Sequence, residues 1–147
     1  MEQLKKIDFQ ELKKYIKDSS KESAIYLGCD SKQLKKHTIY AVCCIIHIDG
    51  KHGGKIFFEK YRTKRIKDIS TRLLKEVELV VNLAQEIIPV IDNRKFEVHL
   101  DLNGDAKHKS NVVAASAKGW VEGLGLLCKI KPESFAATHA ADHCCII

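Results

Sequence analysis

Asp30 and Asp101 each close an apolar, strand-like run, "AIYLGCD" and "FEVHLD". A carboxylate is costly to desolvate at such a place. Set side by side, two of them repel, and a divalent cation between them removes the repulsion. Mg²⁺ or Mn²⁺ is the expected ion: hard cations take oxygen ligands, and Mg²⁺ is usually held by one or two carboxylates plus substrate phosphate. Strand alternation puts Gly28 on the face of Asp30, leaving room there for an ion or a phosphate. The alternative is a pair of ordinary strand-end aspartates that open turns.

Two further acids are candidates. In "DISTRLLKEVELVVNLAQEII" the apolar positions Ile69, Leu73, Val77, Val80, Ala84 and Ile87 recur at helical spacing. Glu76 falls roughly 80° from the centre of that stripe and Glu78 roughly 120° away. Glu76 can therefore point along a sheet surface towards strand ends, or lie on a solvated flank paired with Arg72. Asp142 sits in the alanine-rich "HAADHCC", and Asp105 in "LNGDAKHK" is a turn candidate. His139 and His143 lie about one helical turn apart, and either would be placed to shuttle a proton. His47 and His99, inside strands, read as packed or hydrogen-bonded side chains.

Basic residues cluster in the loops. Lys35, Lys36 and His37 separate the first two core strands, and Tyr61, Arg62, Lys64 and Arg65 follow the third. Both groups would suit phosphate contacts, or are simply solvated. Lys107, Lys109 and Ser110 precede a helix whose N-terminus would take an anion, with Ser110 as its cap.

The elements that must position these groups follow from the pattern. Asp8–Lys17 reads as a short amphipathic helix with Asp8 as N-cap. Ala24–Asp30, Ile39–Ile48 and Gly54–Tyr61 are strands, the last two joined by the glycine-rich "DGKHGG". The long helix over Ile69 to Ile87 is ended by Pro89. "KFEVHLDL" is a fourth strand, and "SNVVAASAKGWVEGLG" a helix closed by Gly123 or Gly125, with Val113, Ala117, Trp120 and Leu124 as its core face. "LLCKIKP" is a fifth strand and "AATHAADHCC" a last helix, short because the sequence ends at Ile147. The order predicts an α/β fold: an antiparallel meander, then right-handed crossovers to parallel strands. The simplest sheet sets strand four beside strand one, and so Asp101 beside Asp30.

The sequence has 147 residues, which suits one domain with the N-terminal helix (residues 1–20) appended to its core. Net charge is +6, which favours phosphate-rich partners such as nucleic acid. The six cysteines show no CxxC spacing and sit in apolar stretches; they read as small buried hydrophobes in a reducing cytoplasm rather than a zinc site. No stretch approaches the ~20 apolar residues of a membrane span, and the N-terminus lacks the apolar core of a signal peptide.

The stretches "YLGCDSKQ", "STRLLKEVE", "VHLDLNGDAKHKSN" and "IKPESFAATHAADH", spanning about residues 24 to 145, resemble the YkuK-like family of ribonuclease H-like proteins. The resemblance implies a mixed five-stranded sheet flanked by helices and a metal-dependent nuclease. By position, Asp30, Glu76, Asp101 and Asp142 would be its acids, and His143 falls within the matched "ADH". In the two-metal scheme it implies, Asp30 bridges both ions, Asp101 holds one, and Glu76 and Asp142 complete one each. A catalytically silent nucleic-acid-binding or protein-interaction module is the alternative, and a phosphatase or other phosphoryl-transfer enzyme a third.

Overall fold

The computed structural model describes residues 1–48, 53–102 and 111–147, with residues 111 and 112 described by backbone alone. Its elements in chain order are β1 (Glu2–Lys5), α1 (Phe9–Asp18), β2 (Ala24–Gln33), β3 (His37–His47), β4 (Gly54–Lys64), α2 (Ile69–Ile91), β5 (Lys95–Leu100), α3 (Asn111–Gly123), β6 (Leu127–Lys129), a π-helical stretch (Ala136–Ala141) and α4 (Asp142–Ile146). One sheet holds all the strands in the order β1-β4-β3-β2-β5-β6. β2, β3 and β4 form the expected antiparallel meander, and β5 and β6 add in parallel beside β2.

The sheet has six strands rather than five. The additional one, β1, pairs antiparallel with β4 at the sheet edge. Its sequence, EQLK, is polar and three of its four residues are exposed. A solvated edge strand needs no apolar alternation, so the pattern carries no sign of it. Gln3 ties it down: its amide donates to Glu59 Oε2 at 3.1 Å and to the Tyr61 hydroxyl at 3.2 Å.

β2 and β3 are buried on both faces, as their nearly continuous apolar runs require. Ile25, Leu27, Cys29, Tyr40, Val42, Cys44 and Ile46 face the larger core, shared with α1, α2 and α3. Ala41 and Cys43 face a smaller one closed by Ala141, Cys144 and Cys145 at the C-terminus. All six cysteines are buried and unpaired by disulfides.

Two helices differ from expectation. Pro89 does not end α2, which runs two residues further to Ile91. A proline in the last turn gives up only one backbone bond, and the helix stops where Asp92 and Asn93 turn left-handed, at φ 45° and 57°. Trp120 is 42% exposed and Leu124 is exposed too, so neither lies in the core. The buried face of α3 is Val113, Ala114, Ala117 and Val121; Trp120 sits one helical position off that line, at its margin. Asp8 caps α1, accepting from the backbone N–H groups of Gln10 and Glu11 at 3.0 and 3.2 Å. The turn at residues 49–52 lies outside the described residues. Among the described residues, no helix is long and apolar enough to cross a membrane.

Candidate active site

The parallel register pairs Cys29 with Leu100, so Asp30 and Asp101 lie next to one another; β2 does not end at Asp30 as expected but runs on to Gln33, whereas Asp101 is the first residue after β5. Asp30 also pairs with Ala41, on the sheet face covered by the C-terminal helix. Its carboxylate accepts the Ser31 N–H at 2.8 Å and lies within hydrogen-bonding reach of the Asp101 carboxyl. Glu76 approaches from α2, across the other face. It is 4% exposed and accepts the Ser31 hydroxyl at 2.6 Å. The solvated-flank alternative for Glu76 is therefore excluded by its burial. Arg72, one turn earlier, still acts on its charge.

The electrostatics of this group are unfavourable. Burial pushes the Asp30 carboxyl up to about 9, and the charges of Glu76 and then Asp101 push in the same direction. Burial likewise pushes Glu76 up to about 8; the Ser31 hydrogen bond opposes this, Asp101 adds to it, and Arg72 and Lys131 oppose it. Around them lie polar atoms without partners: the Tyr40 hydroxyl, Arg72 Nε and Asp101 Oδ1 are all buried and make no hydrogen bond among the described residues. Lys131 Nζ does stand 2.9 Å from Asp101 Oδ1. That contact is an ion pair by distance but lacks the alignment of a hydrogen bond, so both observations hold.

Gly28 has a different role from the one its position suggests. A Cβ there would come within 2.3 Å of the Ala136 carbonyl and 2.5 Å of Ala137 N. The space is taken by the chain's own backbone, so it is a close crossing of β2 and the π-helical stretch, not a cradle for an ion. His99 fixes the same crossing from β5. Its Nδ1 accepts the Ala136 N–H at 3.1 Å, which leaves the proton on Nε2, 3.0 Å from Glu97 Oε1. Burial holds the ring's pKa below its ordinary value, against the pull of Glu97. It packs, as its strand position suggested, and Tyr26 and Phe135 flank it with ring centroids 5.3 and 4.8 Å away.

Asp142 opens α4, partly buried, and Cys145 one turn later feels both Asp142 and Asp30. Cys145 Sγ is 3.6 Å from the Asp30 carbonyl. Asp142 thus shares a short helix with the thiol that touches Asp30, whereas His139 and His143 are exposed, as is His47 at the end of β3. Among the described residues no three His, Cys, Asp or Glu side chains gather closely enough to hold a metal ion together. Lys35, Lys36, Lys64 and Arg65 are exposed. Arg65 donates to the Leu34 carbonyl at 3.0 Å, and Arg62 pairs with Glu2 of β1. Asp105, Lys107, Lys109 and Ser110 lie outside the described residues.

Sequence reasoning did not single out Ser31, Lys131 or Cys145. Ser31 directly follows Asp30 in "CDS", and Lys131 follows the last strand in "IKPES", much as Asp101 follows β5.

A family model described as ribonuclease H-like matches residues 8–145. The chain belongs to that family. No curated protein matches it, and no solved structure does.

Proposed function

We propose that this protein is a metal-dependent nuclease that hydrolyses phosphodiester bonds of nucleic acid, with Asp30 and Asp101 at its centre. One observation carries this reading: two carboxylates from neighbouring parallel strands meet, largely buried, with a third close by on α2. The donors suit a hard divalent cation. All are oxygens, Asp101 Oδ1 is buried without a hydrogen bond among the described residues, and one or two carboxylates with substrate phosphate are the usual protein share of a Mg²⁺ site. Mg²⁺ or Mn²⁺ bound there would activate a water and stabilise the leaving oxygen.

The chain's own part is positioning. Ser31 fixes two carboxylates at once, its N–H holding Asp30 and its hydroxyl holding Glu76. Burial keeps solvent from screening the group, so the attraction for a cation is strong there. Asp142 and His143, on α4 directly after the π-helical stretch that crosses Gly28, would complete the rim, with His143 exposed for proton exchange at the leaving group. The exposed Lys35, Lys36, Lys64 and Arg65 would take backbone phosphates, together with Arg62 if it leaves Glu2, and with Lys107, Lys109 and Ser110. The buried thiols suit a reducing, cytoplasmic setting.

The test is cleavage of labelled RNA, DNA and hybrid oligonucleotides in Mg²⁺ and in Mn²⁺. Activity should vanish in chelator and in Asp30→Asn while circular dichroism stays unchanged. Cleavage that survives both treatments would refute the reading. A second reading is a nucleic-acid-binding module without turnover; the Lys131 contact favours it. Such a module would keep its affinity for oligonucleotide in chelator and lose it when the basic loops are neutralised.

A further inference from the structure

Lys131 is the one cation in direct contact with an acid of the Asp30–Asp101 pair among the described residues. Its place is built. The backbone N–H of Lys131 donates to the Leu102 carbonyl at 3.0 Å, which ties the segment after β6 to the segment carrying Asp101. From that anchor the ammonium reaches an oxygen that has no hydrogen bond among the described residues. The rest of the side chain is accessible, at 42% exposure. It also lines a cavity of about 390 Å³ with Pro132, Thr138 and His139, between the β6 exit and the π-helical stretch. The side chain thus stands between the carboxylates and an open cavity whose polar groups are its own ammonium, Thr138 and His139.

We propose that Lys131 is a resident counter-ion which a divalent cation displaces from Asp101, and that its released ammonium then binds a phosphate oxygen of nucleic acid in the cavity it shares with Thr138 and His139. The inference rests on the metal-dependent reading above and assigns that site a residue outside its acids. An ammonium on a flexible stem suits both positions: it is a compact point charge that can neutralise a carboxylate or a phosphate. While it sits on Asp101, only the fraction of molecules with Lys131 turned away is competent for the cation, so apparent metal affinity is reduced by that fraction.

Lys131→Met keeps most of the stem and removes the charge. Mn²⁺ binding to the full chain, measured by calorimetry and by the electron paramagnetic resonance of free Mn²⁺, should tighten about tenfold. Binding of fluorescein-labelled oligonucleotide in Ca²⁺ buffer should weaken several-fold in the same variant. Lys131→Arg should stay near wild type in both. Lys129→Met removes a charge two residues away that pairs with Glu133 at 3.6 Å. It should move Mn²⁺ affinity less than about twofold, since exposed charges at a distance are screened. Opposite shifts for metal and nucleic acid, confined to position 131, support the proposal. Mn²⁺ affinity unchanged in Lys131→Met, or raised equally by Lys129→Met, overturns it while leaving the metal reading intact. A wild-type protein that binds no Mn²⁺, with Lys131→Met equally silent, overturns both.

Discussion

Arg94 and Asp30 are both buried ionisable groups, and they are treated in opposite ways. Arg94 is 5% exposed, and its guanidinium is surrounded by acceptors. It donates to Ser20 O and Ser19 Oγ at 3.2 Å, to Lys17 O at 3.3 Å and to Ser19 O at 2.7 Å. It also reaches Val90 O and Ile91 O at 3.5 and 3.3 Å. One side chain thus closes the C-terminal ends of α1 and α2, where unpaired carbonyls and the negative end of each helix dipole welcome a cation. At the other end of β2 the carboxylates face each other, and unpartnered polar atoms gather round them. Buried polar groups are normally satisfied, so a cluster of exceptions asks for an explanation. Charge that serves only the fold comes with its partners. Charge with one flexible counter-ion, Lys131 on Asp101, and polar atoms without partners among the described residues is what a ligand site requires.

The largest effect expected from this contrast is at the satisfied site. Arg94→Ala strands several buried carbonyls and should cost about 3–5 kcal/mol in urea unfolding. Arg94→Lys should recover little of it, because a single ammonium cannot replace the planar fork. A loss below about 1 kcal/mol would show that the two helix ends are not held this way.

At the unsatisfied site the sign reverses. Asp30 has its folded pKa raised, to about 9 from an ordinary 3.8. The folded state therefore holds a proton that the unfolded chain has released, and stability of the metal-free protein should fall as pH rises from about 4 to about 9. Asp30→Asn removes the Asp30 share of that fall, Glu76 keeping its own, and should raise the Tm at pH 9 in chelator above that of the wild type. A wild type whose Tm is flat from pH 5 to pH 9, unaltered in Asp30→Asn, would contradict the repulsion described here.

The smallest effect tests the link between the acids. Ser31→Ala removes the hydroxyl donated to Glu76 but keeps the N–H donated to Asp30. It should cost about 1 kcal/mol, most at high pH where Glu76 is charged. Equal loss at pH 5 and pH 9 would assign Ser31 to packing alone.

Much of this was legible in the sequence. The apolar runs and their change of period gave the meander, the crossovers and the neighbourhood of Asp30 and Asp101. Helical angles put Glu76 at the margin of its stripe, and it does turn under the sheet edge to Ser31. What escaped depended on contacts distant in the chain. β1 is polar and stands at an edge. The room at Gly28 is filled from residues 136 and 137. Trp120 lies just off a core line that small residues occupy better. Lys131 meets Asp101 only because β6 runs parallel to β5 and delivers its end to the same edge.

The account stands or falls on whether the facing carboxylates take a cation. A crystal soaked in Mn²⁺ and measured at the manganese absorption edge should show an anomalous peak between the Asp30 and Asp101 carboxylates, with Lys131 swung off Asp101. No peak there, with Lys131 still on Asp101 at millimolar Mn²⁺, would contradict it.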